Sequence, residues 1–319
     1  MNRVPAISIV TPTRNRRAAL LRAIESVRRQ TLQDYEHIVV DDGSDDRTAE
    51  AVATVADKRL RFVRFDERRG ANAARNHGIG LAQSTIVTFL DSDDEYLPFR
   101  LERSVALFGA DPTVALSISS FEAHRDGMVT PTTNLSARLS PPLLERALMA
   151  QVTAIAGSAI TVRRGALEAV GLFDDTLRRF QDRDLLLRLA AADFGAVTIE
   201  PIDWVKHQSK DSISSQRHGY VAAYGELLMR HPRLVERYPD IAVYMVARRM
   251  LSSLLQGHLR ALLGDVRANG RCPALGFSPA RLAIGYLKGR RQRRLIRRQL
   301  KSLEAFEAAG ESSAVPVVF

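Results

Sequence analysis

The chain has 319 residues, of which 45% are hydrophobic and 26% charged, the proportions of a globular protein with a sizeable core. One cysteine, Cys272, excludes an internal disulfide, and we find neither a signal peptide nor a run of about 18 apolar residues, so we expect a cytoplasmic protein without a spanning helix. The net charge of +10 favours anionic partners such as phosphates, nucleic acid or an acidic lipid surface.

Strand and helix patterns alternate through the first 120 residues. This alternation predicts an α/β fold with βαβ units, a mainly parallel, Rossmann-like sheet and helices on both faces. Ligands bind such sheets outside the carboxyl ends of the strands, where the acidic clusters 41–46 and 91–95 lie. The predicted strands are 7–10, 37–40, 61–65, 85–90 and 114–119; the predicted helices are 17–30, 45–56 (capped by Ser44 or Asp45), 71–82 and 98–108 (with Pro98 in its first turn).

The second half of the chain is less regular. Its patterns predict a helix ending near residue 150, a strand at 159–163, a short helix ending near Gly171 and a helix at 182–192. From Tyr220 onward only helical patterns occur, so we place a soft boundary near residue 215.

The sharpest chemical feature is the sequence Asp-Ser-Asp-Asp at residues 91–94, after an apolar strand. Two carboxylates separated by one residue can reach one divalent cation together, with a substrate diphosphate supplying further oxygens. Mg²⁺ and Mn²⁺ both accept such ligands. For an isolated motif, turn formation and helix capping would explain these residues better.

Three further segments accompany this motif. They are Thr-Pro-Thr-Arg-Asn at 11–15, Asp-Asp-Gly-Ser-Asp-Asp-Arg-Thr at 41–48 and Gly-Ala-Asn-Ala-Ala-Arg-Asn-His-Gly at 70–78. In order and spacing, the four segments together resemble the family 2 inverting glycosyltransferases of the GT-A fold. A fifth segment, residues 171–185, resembles the part of that family that supplies the catalytic base, with Gln181 where the family often has glutamate.

The resemblance implies a GT-A domain over residues 1–215 and a helical extension with a basic tail over 216–319. Within the domain, residues 5–120 would bind a nucleoside-diphosphate sugar, UDP- or dTDP-linked, and 121–215 would hold the acceptor and the base. The reaction would move the sugar to an acceptor hydroxyl with inversion, in the synthesis of cell-surface glycans or glycoconjugates. A glycan, a lipid-linked molecule or a small molecule would be the acceptor.

The resemblance also implies roles for individual residues. Asp182 would be the catalytic base, and Asp91 and Asp93 would hold Mn²⁺ or Mg²⁺, with His207 a candidate third ligand. The donor would be bound by Thr11, Pro12, Arg14, Asp41, Asp42, Arg75, Asp91 and Ser92.

Each assignment has a structural alternative. Asp42 and Asp45 can shape a turn or cap a helix, Arg75 can pair with a carboxylate, and Asp182 can cap the helix that it begins. Asp94 is expected to support its loop, and Asp184 to form a cap or a salt bridge. His207 is equally well explained as a surface histidine. Trp204 is a candidate for stacking on an acceptor ring.

The basic tail has nine Lys or Arg and no acidic residue between Arg281 and Lys301. Leu295, Ile296, Leu300 and Leu303 form a modest apolar stripe, so the segment suits peripheral contact with an anionic membrane, at the inner face for a cytoplasmic protein. A solvated helix or an acidic protein partner explains it equally well. Nucleic acid is not expected, because the basic residues have no aromatic residues between them.

Three other functions compete. A nucleotidyltransferase or a dinucleotide-dependent oxidoreductase would carry a glycine-rich turn after the first strand, where this chain has Thr-Pro-Thr-Arg-Asn. A degenerate, non-catalytic protein that binds nucleotide sugars or docks on membranes is compatible with Gln181. The presence of Asp91, Asp93 and Asp182 argues against it.

Overall fold

A computed structural model describes residues 3–207 and 219–311, with side chains through residue 304. The described chain divides into two compact units. The sheet unit comprises residues 3–141, Ala154–Leu177 and 181–207; the helical unit comprises Pro142–Thr153, Arg178–Phe180 and the described residues from 219 onward. The predicted domain boundary near residue 215 lies outside the described residues and stays a prediction.

The sheet unit is built on ten described strands in one sheet. The strand order is β3-β2-β1-β4-β9-β6-β10-β5, with β7 paired to β6 and β8 to β10. The strands are β1 (Ile7–Thr13), β2 (Tyr35–Asp41), β3 (Leu60–Arg64), β4 (Ile86–Phe89), β5 (Glu95–Tyr96), β6 (Leu116–Arg125), β7 (Met128–Thr132), β8 (Ala137–Leu139), β9 (Ile160–Arg163) and β10 (Ala196–His207).

The four strands β3, β2, β1 and β4 are parallel, as the βαβ pattern predicts. β9 then enters antiparallel to both β4 and β6, while β6 and β10 pair in parallel, so the sheet is mixed. The predicted α/β, Rossmann-like fold is confirmed. Beyond Val10, β1 pairs with β2 alone, and Pro12 is tolerated in the strand because its missing N–H faces no partner from β4.

Helices connect these strands. They are α1 (Arg17–Arg28), α2 (Thr48–Ala53), α3 (Ala71–Leu81), α4 (Arg100–Ala110), α5 (Pro141–Met149), α6 (Arg164–Ala169) and α7 (Gln181–Ala191). The buried residues of α1, which include Leu20, Ile24 and Val27, recur at helical spacing. Helix α3 approaches β1 closely, because a Cβ built on Gly78 would lie 2.4 Å from Val10.

Two predicted helix starts are wrong. Helix α2 begins at Thr48 after Arg47, which has a left-handed backbone, so neither Ser44 nor Asp45 caps it. Ser44 instead accepts a hydrogen bond from the backbone of Asn15 (2.9 Å). Helix α4 begins at Arg100, two residues after Pro98.

Strand β10 was not predicted. Its sequence is interrupted at Glu200-Pro201, where its pairing with β6 shifts register between Ile199 and Ile202 and again before Trp204. Such irregularities break the alternation by which a strand is detected in sequence. They do not break the strand, because the pairing with β6 continues to His207.

The helical unit contains α8 (Tyr220–Arg230), α9 (Pro232–Arg237), α10 (Pro239–Leu255), α11 (Leu259–Arg271) and α12 (Pro279–Glu311). Helices α10 and α12 pack closely at Gly285 and Gly289, where an added Cβ would lie 2.3 Å from Val243 and Tyr244, respectively. No helix within the described ranges has the length and hydrophobicity needed to cross a bilayer.

The apolar stripe predicted on the basic tail is divided by this packing. Ile296 is fully buried and Leu300 is 7% exposed, whereas Leu295 faces solvent. Two members of the stripe therefore belong to the interior of the helical unit and are not available to a lipid surface.

Candidate active site

Two elements of the sheet unit bring Arg75 and Asp91 together. Arg75 lies in the middle of α3, and Asp91 follows the end of β4. The guanidinium donates from Nη2 to Asp91 Oδ1 (2.6 Å) and from Nη1 to Asn72 Oδ1 (3.1 Å). Burial raises the pKa of Asp91, but the charges of Arg75 and Lys206 outweigh burial, so the net pKa lies below its usual range. Asp91 is therefore a carboxylate at neutral pH.

Asp93 and Asp94 differ in their partners. Asp93 forms an ion pair with Arg16 (2.5 Å), and Asp94 accepts a hydrogen bond from Ser158 (2.6 Å). Burial raises the pKa of Asp93, and burial together with the Asp91 charge raises the pKa of Asp94 well above its usual value. The region is thus rich in carboxylates whose ionisation a bound cation would favour. Asp94 supports its loop, as predicted.

Asp182 lies in the first turn of α7 and is half-buried, and its Oδ1 is buried without a hydrogen-bond partner. Burial raises its pKa, an effect that the Arg75 charge opposes and the Asp91 charge reinforces. An unpaired buried carboxylate oxygen costs stability unless a ligand satisfies it. A basic oxygen close to Arg75 and Asp91 can accept a proton from a bound hydroxyl.

The two aspartates at the end of β2 are already engaged within the fold. Asp42 accepts hydrogen bonds from the backbone N–H groups of Arg69 (2.6 Å) and Gly70 (3.0 Å). Asp41 is fully buried and accepts from Ser44, while its Oδ2 has no hydrogen-bond partner and lies 3.7 Å from Arg64 Nε. Asp42 thus shapes its turn, as the structural alternative predicts, and one oxygen of Asp41 has the charge of Arg64 nearby but no hydrogen-bond donor.

The residues at the end of β1 differ in what they could offer a ligand. The Thr11 hydroxyl bonds to His37 Nε2 (2.8 Å), and the residue is fully buried and paired with Val39 of β2. Pro12 is buried within β1, and Arg14 has a buried Nε without a partner. Ser92, which lies between Asp91 and Asp93 in the sequence, is 3% exposed.

The end of β10 presents Lys206 and His207 on opposite faces, because side chains alternate along a strand. His207 Nε2 lies 2.7 Å from Glu95 Oε1, and Arg22 Nε lies 3.5 Å from the same oxygen. In the structure His207 is thus paired with Glu95, and its role as a metal ligand stays a prediction. The Lys206 charge instead lowers the pKa of four neighbouring groups: Asp91, Asp93, Asp94 and Asp182.

Trp204 does not line an open site. It is fully buried and stacks on Phe121 with ring centroids 4.5 Å apart. The prediction that Trp204 stacks on an acceptor ring is wrong, because strand pairing with β6 places the indole in the interior.

Sequence reasoning missed four residues that shape the site. Ser158 bonds to both the Asp91 backbone (3.0 Å) and Asp94, and Gly157 lies so close that an added Cβ would be 3.1 Å from Asp91 Oδ1. Lys206 adds positive charge. Asn72 donates to the carbonyls of Asp174 (2.8 Å) and Leu177 (3.0 Å), which fixes the segment before α7. No recognised motif surrounds Gly157 or Lys206 in the sequence.

Among the described residues, no three His, Cys, Asp or Glu side chains are grouped to hold a metal ion. Asp91 and Asp93 are the two predicted metal ligands with carboxylate oxygens, each beside an arginine. Their chemistry fits a hard cation such as Mg²⁺ or Mn²⁺ only if a ligand supplies the remaining oxygens.

The sequence model of glycosyl transferase family 2 matches residues 8–171, which is just over half of the chain. This stretch contains β1 from its second residue, α3, Asp91 and Asp93. The chain belongs to glycosyl transferase family 2. Members of the family typically use a divalent cation.

A solved structure shares the GT-A fold. TarS residues 1–349 from S. aureus, in complex with UDP-GlcNAc, superimpose with a TM-score of 0.66 and 18% identity, covering 93% of this chain and 91% of that structure. At this identity the likeness establishes the fold alone.

Curated relatives match over different lengths. WcaA of Escherichia coli K12, assigned by name to colanic acid biosynthesis, is 28% identical over 259 residues, 79% of this chain and 92% of WcaA. The GalNAc(5)-diNAcBac-PP-undecaprenol beta-1,3-glucosyltransferase of Campylobacter jejuni is 39% identical over 97 residues, 30% of this chain and 31% of that protein. The chain thus spans less than a third of the length of some relatives that it matches.

Proposed function

We propose that this protein transfers a sugar from a nucleoside-diphosphate sugar to an acceptor hydroxyl, with inversion at the anomeric carbon. The observation that carries the proposal is the unpartnered, buried Oδ1 of Asp182, together with the charged cluster that contains Arg75 and Asp91. Family membership and the GT-A fold support this assignment.

Asp182 acts as the general base. Burial raises the pKa of Asp182, which strengthens it as a proton acceptor, and the Arg75 charge limits that rise. The acceptor oxygen forms a bond to the anomeric carbon as its proton moves to Asp182. The bond to the diphosphate breaks on the opposite face, and this geometry inverts the centre.

The donor lies beside the carboxyl ends of β1, β2 and β4. Asp91 and Asp93 would hold a divalent cation, Mn²⁺ or Mg²⁺, and the charge it supplies would neutralise the diphosphate. The nucleoside, uridine or deoxythymidine, would meet Thr11 and Pro12, the side chain of Arg14 and the Asp41 oxygen that accepts no hydrogen bond. Arg75 and Ser92 complete the donor site, with Asp42 supporting its turn.

Cell-surface glycan synthesis is the proposed setting. WcaA, which aligns with this chain over 92% of its length, bears a name from colanic acid biosynthesis. A lipid-linked glycan is the preferred acceptor, since a shorter match is named for an undecaprenol diphosphate acceptor. Peripheral contact with an anionic inner membrane surface would then bring enzyme and acceptor together, and the net charge of +10 supports it.

The melting temperature in the presence of different nucleotides tests the donor site. The full chain is melted with UDP, dTDP, GDP or ADP, each with Mn²⁺ or with chelator. A ligand at 100 times its dissociation constant adds about 2.7 kcal/mol of stability. We expect UDP or dTDP to raise the melting temperature only with the metal. A folded protein that responds to none of the four contradicts the proposal.

A further inference from the structure

Helix α11 exposes large apolar residues and buries two polar ones. Its buried residues are Ala261, Asp265 and Asn269, while Leu259, Leu263 and Val266 are 60%, 56% and 50% exposed. The three exposed residues have i, i+4, i+7 spacing, so they form one stripe along the helix. This helix therefore turns an apolar face outward and a partly polar face inward.

The end of α10 extends the same kind of surface. Leu251, Leu254 and Leu255 are exposed there, Leu255 to 78%, and only residues 256–258 separate them from α11. We name these side chains the leucine ridge; its members are Leu251, Leu254, Leu255, Leu259, Leu263 and Val266. Contiguous exposed apolar residues of this kind mark an interaction surface.

The segment of the chain that carries the ridge is strongly basic. Residues 241–303 contain 14 Lys or Arg and one acidic residue, Asp265. Asp265 is 1% exposed and lies 3.5 Å from Arg249, so it presents no negative charge to a partner. On α11 itself, Arg260, Arg267 and Arg271 are exposed beside the stripe.

We propose that the leucine ridge inserts into the interface of an anionic lipid bilayer, with the flanking arginines contacting the headgroups. Leucines beside arginines on an outward helix face match the apolar and anionic layers of such a surface. A second copy of this chain fits poorly, because two faces of the same positive charge repel each other. The inference deepens the proposed membrane contact and rests on it, but it does not depend on the donor site.

Vesicle binding tests the ridge in the full chain. We would compare wild type with L259Q/L263Q on phosphatidylcholine vesicles with and without phosphatidylglycerol. The control is M128Q/V129Q, which removes two exposed apolar side chains from β7. We expect wild type and control to bind only the anionic vesicles, and the ridge variant to bind them at least about tenfold more weakly.

A second measurement does not depend on the stability of the ridge variant. L263W is compared with V129W on anionic vesicles that carry brominated lipid. The native Trp204 is fully buried and gives the same background in both. Quenching of L263W but not of V129W supports insertion, and equal quenching overturns it.

The remaining outcomes separate this inference from the proposals before it. If the ridge variant binds as wild type does while R290Q/R291Q/R294Q loses binding, the ridge is wrong and the membrane contact stands. If wild type binds no vesicle, both are wrong, and the nucleotide melting experiment still tests the donor site. Self-association without lipid that L259Q/L263Q abolishes assigns the ridge to a second copy and overturns the inference.

Discussion

Nη2 of Arg75 lies 2.6 Å from Oδ1 of Asp91, although one residue belongs to a helix and the other to the end of a strand. Arg75 is 4% exposed, and its guanidinium also bonds to Asn72 and lies 5.4 Å from the centre of the Phe173 ring. The pair therefore couples α3, the end of β4 and the segment before α7. A disturbance of either side chain should affect donor binding and stability together.

Substitution of Arg75 by lysine should weaken donor binding by about tenfold or more, because an ammonium cannot reproduce the two bonds of the planar fork. The melting temperature should fall as well, since the buried Asn72 oxygen loses its partner. The matched control is Arg68→Lys at an exposed position. Nucleotide titration by calorimetry measures the effect, and unchanged affinity in the variant would remove Arg75 from the donor site.

Substitution of Asp182 by asparagine should lower kcat by about 10²–10⁴-fold, because the amide cannot accept the acceptor proton. Nucleotide affinity should remain, since the variant keeps its size. Asp184→Asn is the comparison within the same helix, where the native carboxylate pairs with Arg188 (2.9 Å). Transfer assays and nucleotide titration together decide the role; full activity of the Asp182 variant would exclude it as base.

The same residue should make stability depend on pH. Burial raises the folded-state pKa of Asp182, so between the unfolded and folded pKa the native state holds more protons. Its contribution to unfolding free energy therefore falls as pH rises through that window. We expect Asp182→Asn to melt higher than wild type at neutral pH, with the difference vanishing at acid pH. Denaturant unfolding at a series of pH values measures it, and a variant less stable at neutral pH contradicts the assignment.

Substitution of Asp93 by alanine should abolish the metal dependence of nucleotide binding, because only Asp91 would remain to hold the cation. The variant also frees Arg16 from its ion pair. For that reason Arg16→Gln serves as a second variant, which should keep the response to Mn²⁺. Asp126→Ala, on the exposed β6–β7 turn, controls for lost charge. Melting with UDP and Mn²⁺ gives the answer, and an undiminished metal response in Asp93→Ala would refute the metal assignment.

Gly157 leaves little room for a side chain. An alanine Cβ would lie 3.1 Å from Asp91 Oδ1, so this carboxylate must move by a few tenths of an ångström, whereas 3.5 Å from Arg75 Nη2 is ordinary contact. We expect Gly157→Ala to weaken nucleotide binding by about tenfold, a loss near 1.4 kcal/mol. Gly165→Ala, in α6 with open space around its Cα, should leave binding unchanged. Equal affinities for both variants would show that the pair tolerates displacement.

Sequence patterns predicted the parallel half of the sheet because its strands are short apolar runs separated by periodic helices. They also indicated that Arg75 and Asp91 share a site, since both belong to motifs with a known spacing. They failed where tertiary pairing decides the structure. Strand β10 is recognisable only through its partner β6, and the burial of Trp204 follows from that pairing.

Tertiary pairing also decides which of Lys206 and His207 faces the carboxylates. Sequence places both beside the predicted site, and nothing local shows which of the two faces the carboxylates. The alternation of β10 decides this, and Glu95 then pairs with the imidazole on the other face.

The register shifts of β10 lie between Ile199 and Trp204, upstream of both side chains. Because a strand has a two-residue period, removing one residue from this stretch would exchange the ammonium and the imidazole between the two faces. The imidazole would then lie beside Asp182 in place of the ammonium. The number of residues in this irregular stretch of β10 thus decides which side chain the strand turns toward the carboxylates.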